Sequence, residues 1–381
     1  MKGLWIAMGL VMMSTAGVCQ KVSSDHSKAV ATSKTTQSSN TGRVIGYLTG
    51  WKTPPAASEL ANAGYTHIVV AFGVFGTKTP GQIISAFDLV TPEYVKSLQA
   101  AGLKVLLSLG GASSSIPNTT VNFDQVLSAA ATPAVFTQTF ITSMEEMVTQ
   151  YGFDGFDIDI ESGVIGSGNF AKPTGDIAVL ADIINQMHSK HPTLLLSLAP
   201  QMANIAATQG FDSVWGNYAA LVMQTAPSLA WVGIQLYNSG CCFGINMYCY
   251  GLTDPSNPDT YVAMATDLLE NWPDKDSSGR ATGFQPYLSK LTPEQVVLGF
   301  PAVNASGKSD GAPAAVIPTV KRAIQCLRTA TAGSDSCADY TPPRAYPNLS
   351  GVFEWEISYD QDNHYNFATS LKDCVMSNNC K

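Results

Sequence analysis

Along the chain, short runs rich in Val, Ile and Leu alternate with longer stretches whose apolar residues recur every three or four positions. The short runs are 44–48, 67–72, 104–109, 155–160, 193–199, 229–237, 296–300 and 351–357; the longer stretches include 93–101, 135–150, 176–190 and 261–271. Compact β-branched runs predict strands, and a period near 3.6 predicts helices. Strands separated by helices predict parallel βαβ units, and eight such units over about 330 residues predict an α/β fold, a single (β/α)8 barrel. The rival, an open doubly wound sheet, would carry a glycine-rich phosphate loop after its first strand, and neither G-x-G-x-x-G nor a P-loop follows residues 44–48.

In the fourth run the alternation carries chemistry. Within residues 151–161, YGFDGFDIDIE, Asp157, Asp159 and Glu161 fall on one face of a strand and Phe156, Ile158 and Ile160 on the other. A parallel barrel strand is covered by helices on its outside, so the apolar face should point outward and the acids into the barrel. Three carboxylates there repel one another and lose hydration, so some must hold protons at neutral pH. Acid catalysis gives a reason for that cost, because it needs a carboxylic acid still protonated near the working pH. A solvated polar face is the plain alternative. A calcium loop is another, but the D-x-D-x-D-G-x5-E spacing is absent.

The ends and the charge refine the picture. Lys2, the apolar run 4–13 and the small residues 14–17 follow the order of a secretion leader, and the run is too short to span a bilayer. The expected organisation is a leader over 1–19, a Ser/Thr-rich tether over 20–42 and the barrel over 43–381. Cys19 offers a lipid-anchoring alternative. No later run is long enough to predict stable membrane insertion. A secreted monomer is expected. The whole chain has 21 basic and 29 acidic residues, net −8; without the four Lys and one Asp of 1–42, 17 and 28 remain, net −11. That balance argues against nucleic acid as a partner. Of eight cysteines, seven remain beyond Cys19, so at least one lacks a partner within the chain. Their spacing pairs Cys326 with Cys337, Cys374 with Cys380, and Cys249 with Cys241 or Cys242. A metal site at Cys241, Cys242 and Cys249 is the alternative, but no His lies nearby and no paired C-x-x-C occurs, so neither metal nor cofactor is expected.

The string Asp154-Gly-Phe-Asp157-Ile-Asp159-Ile-Glu161 resembles the D-G-x-D-x-D-x-E signature of family 18 glycoside hydrolases, the chitinases and their relatives. Ser108-Leu-Gly110-Gly111 is similar to the family's S-x-G-G, Gln235-Leu-Tyr237-Asn238 to its Q-x-Y-[DN], and Tyr47 with Trp51 to its first-strand Y-x-x-x-W. Trp355 stands where the family has its pocket Trp. The resemblance extends over 43–372. It implies a retaining hydrolase of β-1,4-linked N-acetylglucosamine, with chitin or its oligosaccharides as partner. By it, Glu161 is the general acid, Asp159 orients the substrate acetamide, Asp157 shares a proton with Asp159, and Tyr237 holds the acetamide oxygen. Trp355 is the sugar floor, and Gln235, Asn238, Gln201 and Met202 line the site, with core packing the alternative for Met202. Tyr47 and Ser108 are expected to hydrogen-bond the acids, Gly110 and Gly111 to allow close backbone approach, and Asp154 to be structural. Phe72, Trp51 and Trp215 are candidate stacking residues. Two other functions fit the same resemblance: an endo-β-N-acetylglucosaminidase acting on the N-glycan chitobiose core, and a non-catalytic lectin, although such lectins usually lack the terminal Glu. Many relatives carry Asp where this chain has Asn238. An anion there would raise the pKa of Glu161, so the neutral residue predicts an optimum on the acidic side of neutral.

Overall fold

The computed structural model describes residues 42–206, 216–276, 278–284, 286–349 and 351–381. The expected leader and tether, with Cys19, and the candidate stacking residue Trp215 lie outside these. Eight strands form the barrel: β1 (Arg43–Thr49), β2 (His67–Gly76), β3 (Lys104–Gly111), β4 (Gly155–Ile160), β5 (Leu195–Leu198), β6 (Trp231–Gln235), β7 (Val296–Pro301) and β8 (Gly351–Trp355). Each pairs in parallel with the next, and β8 returns to pair with β1, so the sheet closes without an edge.

Helices follow the strands and cover the outside. Two begin on a Thr-Pro pair, Pro92–Ala100 after Thr91 and Pro133–Tyr151 after Thr132. In each, the Thr hydroxyl accepts the backbone N–H of the third helical residue, and Pro occupies the first helical position, where no N–H is needed. The strands' outward residues, among them Val70, Leu107, Phe156, Ile158, Leu198, Ile234 and Leu298, are buried against the helices in the main core. Their inward neighbours Tyr47, Val69, Leu106, Trp231, Val297 and Phe353 form a separate cluster that fills the barrel, as expected of a packed barrel rather than a pore. His67 closes its lower end, edge-on to Trp231, with its ring nitrogen on Thr66; burial pushes its pKa down to about 3.

The described cysteines pair Cys241–Cys249, Cys326–Cys337 and Cys374–Cys380, leaving Cys242 buried and free. Cys241 is therefore the partner that spacing alone left open. No helix among the described residues is long and apolar enough to cross a membrane.

Candidate active site

The pairing of β3, β4 and β5 sets Ser108, Asp157 and Ser197 in one row across the barrel interior, and Gly110 beside Asp159 one layer higher. Asp157, fully buried, accepts from the hydroxyls of Tyr47 (2.8 Å) and Ser108 (3.0 Å) on Oδ2 and of Ser197 (2.6 Å) on Oδ1. Burial pushes its pKa up, and the three hydroxyls pull it back. Asp159 is driven well above the ordinary carboxylate range by burial and by the Glu161 and Asp157 carboxylates. Its Oδ1 accepts from Gln235 Nε2 at 2.8 Å, and the same nitrogen donates to the Ala199 carbonyl (2.9 Å) and reaches Glu161 Oε1 at 3.4 Å.

Glu161, one residue past the end of β4, is only partly buried. Burial raises its pKa, opposed by the side-chain amides of Gln235 and Gln201, the latter 3.2 Å from Oε2. The row therefore climbs from a sealed, hydroxyl-bound carboxylate to an acid at the cleft surface. The strand next to it must stay bare. Gly110 has φ +114°, and a Cβ there would stand 2.4 Å from the Asp159 carbonyl oxygen; at Gly111, φ +77°, it would meet the Phe72 ring at 2.8 Å.

Above the acids opens a cleft of about 490 Å³ whose lining includes Asp159, Glu161, Gln201, Gln235, Tyr237, Asn238 and Asp310, with Ser113, Ser114 and Ser115 as a polar wall. Its aromatic side is a run of three rings. Trp51, 47% exposed, lies 6.3 Å from Phe72, and Phe72 stacks on Trp355 at 5.7 Å and 21°. Charge is one-sided: among the described residues, Asp159, Glu161 and Asp310 line the cleft with no Lys, Arg or His. The arrangement combines a carboxyl at the surface, a buried acid pair beneath it and flat apolar rings, which suits a ligand with apolar faces and polar edges.

The model of glycosyl hydrolases family 18 matches residues 43–376. The chain belongs to glycosyl hydrolase family 18. Among solved structures, the Legionella pneumophila ChiA C-terminal domain is 62% identical with a TM-score of 0.86, covering 89% of this chain and all of that one. A family GH18 chitinase from Chromobacterium violaceum is 26% identical with a TM-score of 0.67, covering 88% and 83%. Chitinase D of Niallia circulans is 27% identical over 90% of this chain and 64% of its own length, and chitinase Chi52 of Paenibacillus xylanexedens 28% over 72% and 49%. The chain thus spans about two thirds of one of these curated relatives and about half of the other.

Of the expected site residues, the geometry removes one from the cleft and defines the contacts of two others. Met202 is fully buried in the core, away from the cleft, because its short helical turn, Met202–Ile205, packs inward. Tyr47 donates to Asp157 as expected, and it does so from beneath the cleft. Asn238 does line the cleft, but its side chain is tied to the backbone of Ala312 rather than to the acids. Two residues missed in the sequence join the site. Ser197 had a signal, as the one polar residue between Leu194 and Ala199. Asp310 had none, because a loop brings it in.

Proposed function

We propose that this family 18 chain is a secreted chitinase that hydrolyses β-1,4-linked N-acetylglucosamine with retention of configuration by substrate-assisted catalysis. The reading rests on one observation: the inward row Asp157, Asp159 and Glu161, with Gln235 spanning the upper two. Glu161, its pKa raised by burial, gives its proton to the glycosidic oxygen as the C1–O bond breaks. The acetamide carbonyl oxygen of the sugar over Trp355 attacks C1, forming an oxazolinium ion, so no second enzymic carboxylate acts as nucleophile. Asp159 orients the acetamide N–H and stabilises the positive charge, and Asp157 anchors Asp159 from below. Tyr237 holds the acetamide oxygen; its hydroxyl lies within electrostatic reach of all three acids. Glu161, now ionised, takes a proton from water, which adds to C1 from the face the leaving group left.

Export is supported by the leader-like order of 1–19 and by the three disulfides, which persist in oxidising compartments. Residues 20–42 would then be a tether to the barrel.

The test is chitin hexamer digestion with product anomers followed by NMR, alongside a high-mannose glycopeptide. The wild type should cleave the hexamer and release the β-anomer first. Glu161→Gln should lower kcat at least 100-fold, in line with loss of a general acid, while still binding the oligosaccharide. Wild-type turnover by the variant would refute the role of Glu161, and cleavage of the glycopeptide alone would move the substrate to the N-glycan core.

A further inference from the structure

Asn238 and Asp310 meet at one loop, and neither is used by the chemistry above. Asn238 has φ +51°, in the left-handed region that Asn tolerates better than most residues. From there its backbone N–H donates to the Ala312 carbonyl at 2.6 Å and its Oδ1 accepts the Ala312 N–H at 2.9 Å. One residue thus makes both bonds of a two-point clip on the loop 302–316. Gly311, beside the clip, is pressed between Pro301 and Tyr237: a Cβ there would stand 2.7 Å from the proline ring and 3.3 Å from the tyrosine ring. The next residue back, Asp310, accepts the indole N–H of Trp355 on Oδ2 at 3.2 Å.

Trp355 otherwise touches ring faces and edges. Phe72 stacks on it, and Tyr47 meets it edge-on at 6.1 Å. Dispersion contacts of that kind resist tilting of a ring but hardly resist sliding in its own plane. An indole nitrogen is donor only, and its N–H lies in the ring plane, so an acceptor there removes the remaining freedom.

We propose that Asp310 is a positioning residue for the Trp355 platform, and that Asn238 acts through it by clipping the loop that carries it. This rests on the reading of Trp355 as the floor for a sugar. It accounts for Asn238 as a loop clip in place of a tuner of Glu161. A floor that touches the sugar before and during reaction contributes uniform binding, so its misplacement raises KM and spares kcat.

The experiment uses the full chain in two measurements. The first is the indole N–H spectrum of 15N-tryptophan-labelled protein, with the Trp355 signal assigned by W355F. D310A and N238A should both move that signal. N238D should leave it in place, because an Asp carboxylate accepts the same Ala312 N–H. The second is a double-mutant cycle on chitotetraose. D310A and N238A should each raise KM roughly 3- to 10-fold, the scale of one lost hydrogen bond, with kcat changed less than about twofold. The double variant should be no worse than D310A alone. An unmoved Trp355 signal in D310A, or losses in the double variant that multiply, would overturn the proposal. If the wild type does not hydrolyse chitotetraose, the chitinase reading falls while the spectrum still decides the clip.

Discussion

Asp157 and Asp159 sit two residues apart on one strand, yet their surroundings raise their pKa values to different extents. Three hydroxyls converge on Asp157 and favour its ionised form, whereas Asp159 has one good amide donor and acids on both sides. Asp159 is therefore raised further than Asp157, and interacting carboxyls this close titrate as a unit. Glu161 is balanced in a similar way between burial, which raises its pKa, and the amides of Gln235 and Gln201, which lower it. Removing one amide should tip that balance. Gln201→Leu takes away the N–H at 3.2 Å from Oε2, so the pKa of Glu161 rises. A general acid works only while protonated, so activity is lost as pH rises through that pKa, and the alkaline limb of kcat/KM against pH should move to higher pH. A limb that stays put or moves down would show that Gln201 does not tune the acid. The acid row and Gln235 were legible in the sequence because side-chain parity on one strand, joined to a specific signature, leaves few other arrangements. Ser197 was readable by the same parity. The partners of Asn238 and Asp310 were not, since the bonds that define them close between strand ends and a loop 74 and 45 residues away.

The row faces inward only if β4 pairs with β3 in the right register, because a slip of one residue would turn Asp157 and Asp159 toward the helices. Asp154 fixes that register at the strand's start. Its carboxylate accepts the Val105 N–H (2.9 Å) and the Gln99 amide (2.9 Å) on Oδ2 and Lys104 (2.8 Å) on Oδ1, while its own N–H donates to the Val105 carbonyl. Lys104 is more than half exposed and contributes little. Burial alone would raise the Asp154 pKa, but the hydrogen bonds from Lys104, Gln99 and Val105 outweigh it and hold the group below its ordinary value. Its stabilisation is therefore present above the normal Asp range and disappears as pH falls through the depressed value. Asp154→Ala should cost about 2 kcal/mol at pH 7, the scale of losing hydrogen bonds to a charged group, and the gap from wild type should shrink toward pH 3. Thermal melts across that range would check it; a pH-independent gap would mean that packing, not charge, is lost. Element boundaries were readable where the pattern was local, as at β4 and the helix Asp176–Lys190, both of which match the alternation to the residue. They were not readable at the top of β2. That strand continues to Gly76 because two short segments, Ile83–Ser85 and Thr119–Thr120, pair with it antiparallel, and a partner brought in from elsewhere leaves no periodicity in the strand itself.

Across the molecule, raised carboxylates are not confined to the cleft. Glu354 on β8 points away from the barrel interior, fully buried, sharing the Tyr65 hydroxyl with Asp360, and burial pushes it well above its normal range. Asp267, in the helix Asp259–Leu269, is likewise sealed. Its Oδ1 accepts the Ile245 N–H at 2.9 Å, its Oδ2 has no hydrogen-bond partner among the described residues, and burial drives its pKa well up. A carboxyl whose folded pKa lies above its unfolded one contributes its full stabilisation below the unfolded value, near pH 4, and loses it as pH rises toward the folded value. A barrel with a net charge of −11 carries general charge repulsion as well, so its stability should decline on the alkaline side for two separable reasons. Asp267→Asn separates them. The amide oxygen still accepts the Ile245 N–H, the NH2 stands where a protonated Asp would place its hydroxyl, and the group no longer titrates. The variant should match wild type at pH 4, melt about 1–3 °C higher at pH 8 and show a flatter Tm against pH, with activity on chitin oligosaccharides unchanged because the residue lies outside the cleft. Equal slopes for the two proteins between pH 4 and 8 would place the alkaline loss in the general repulsion and remove Asp267 from the account.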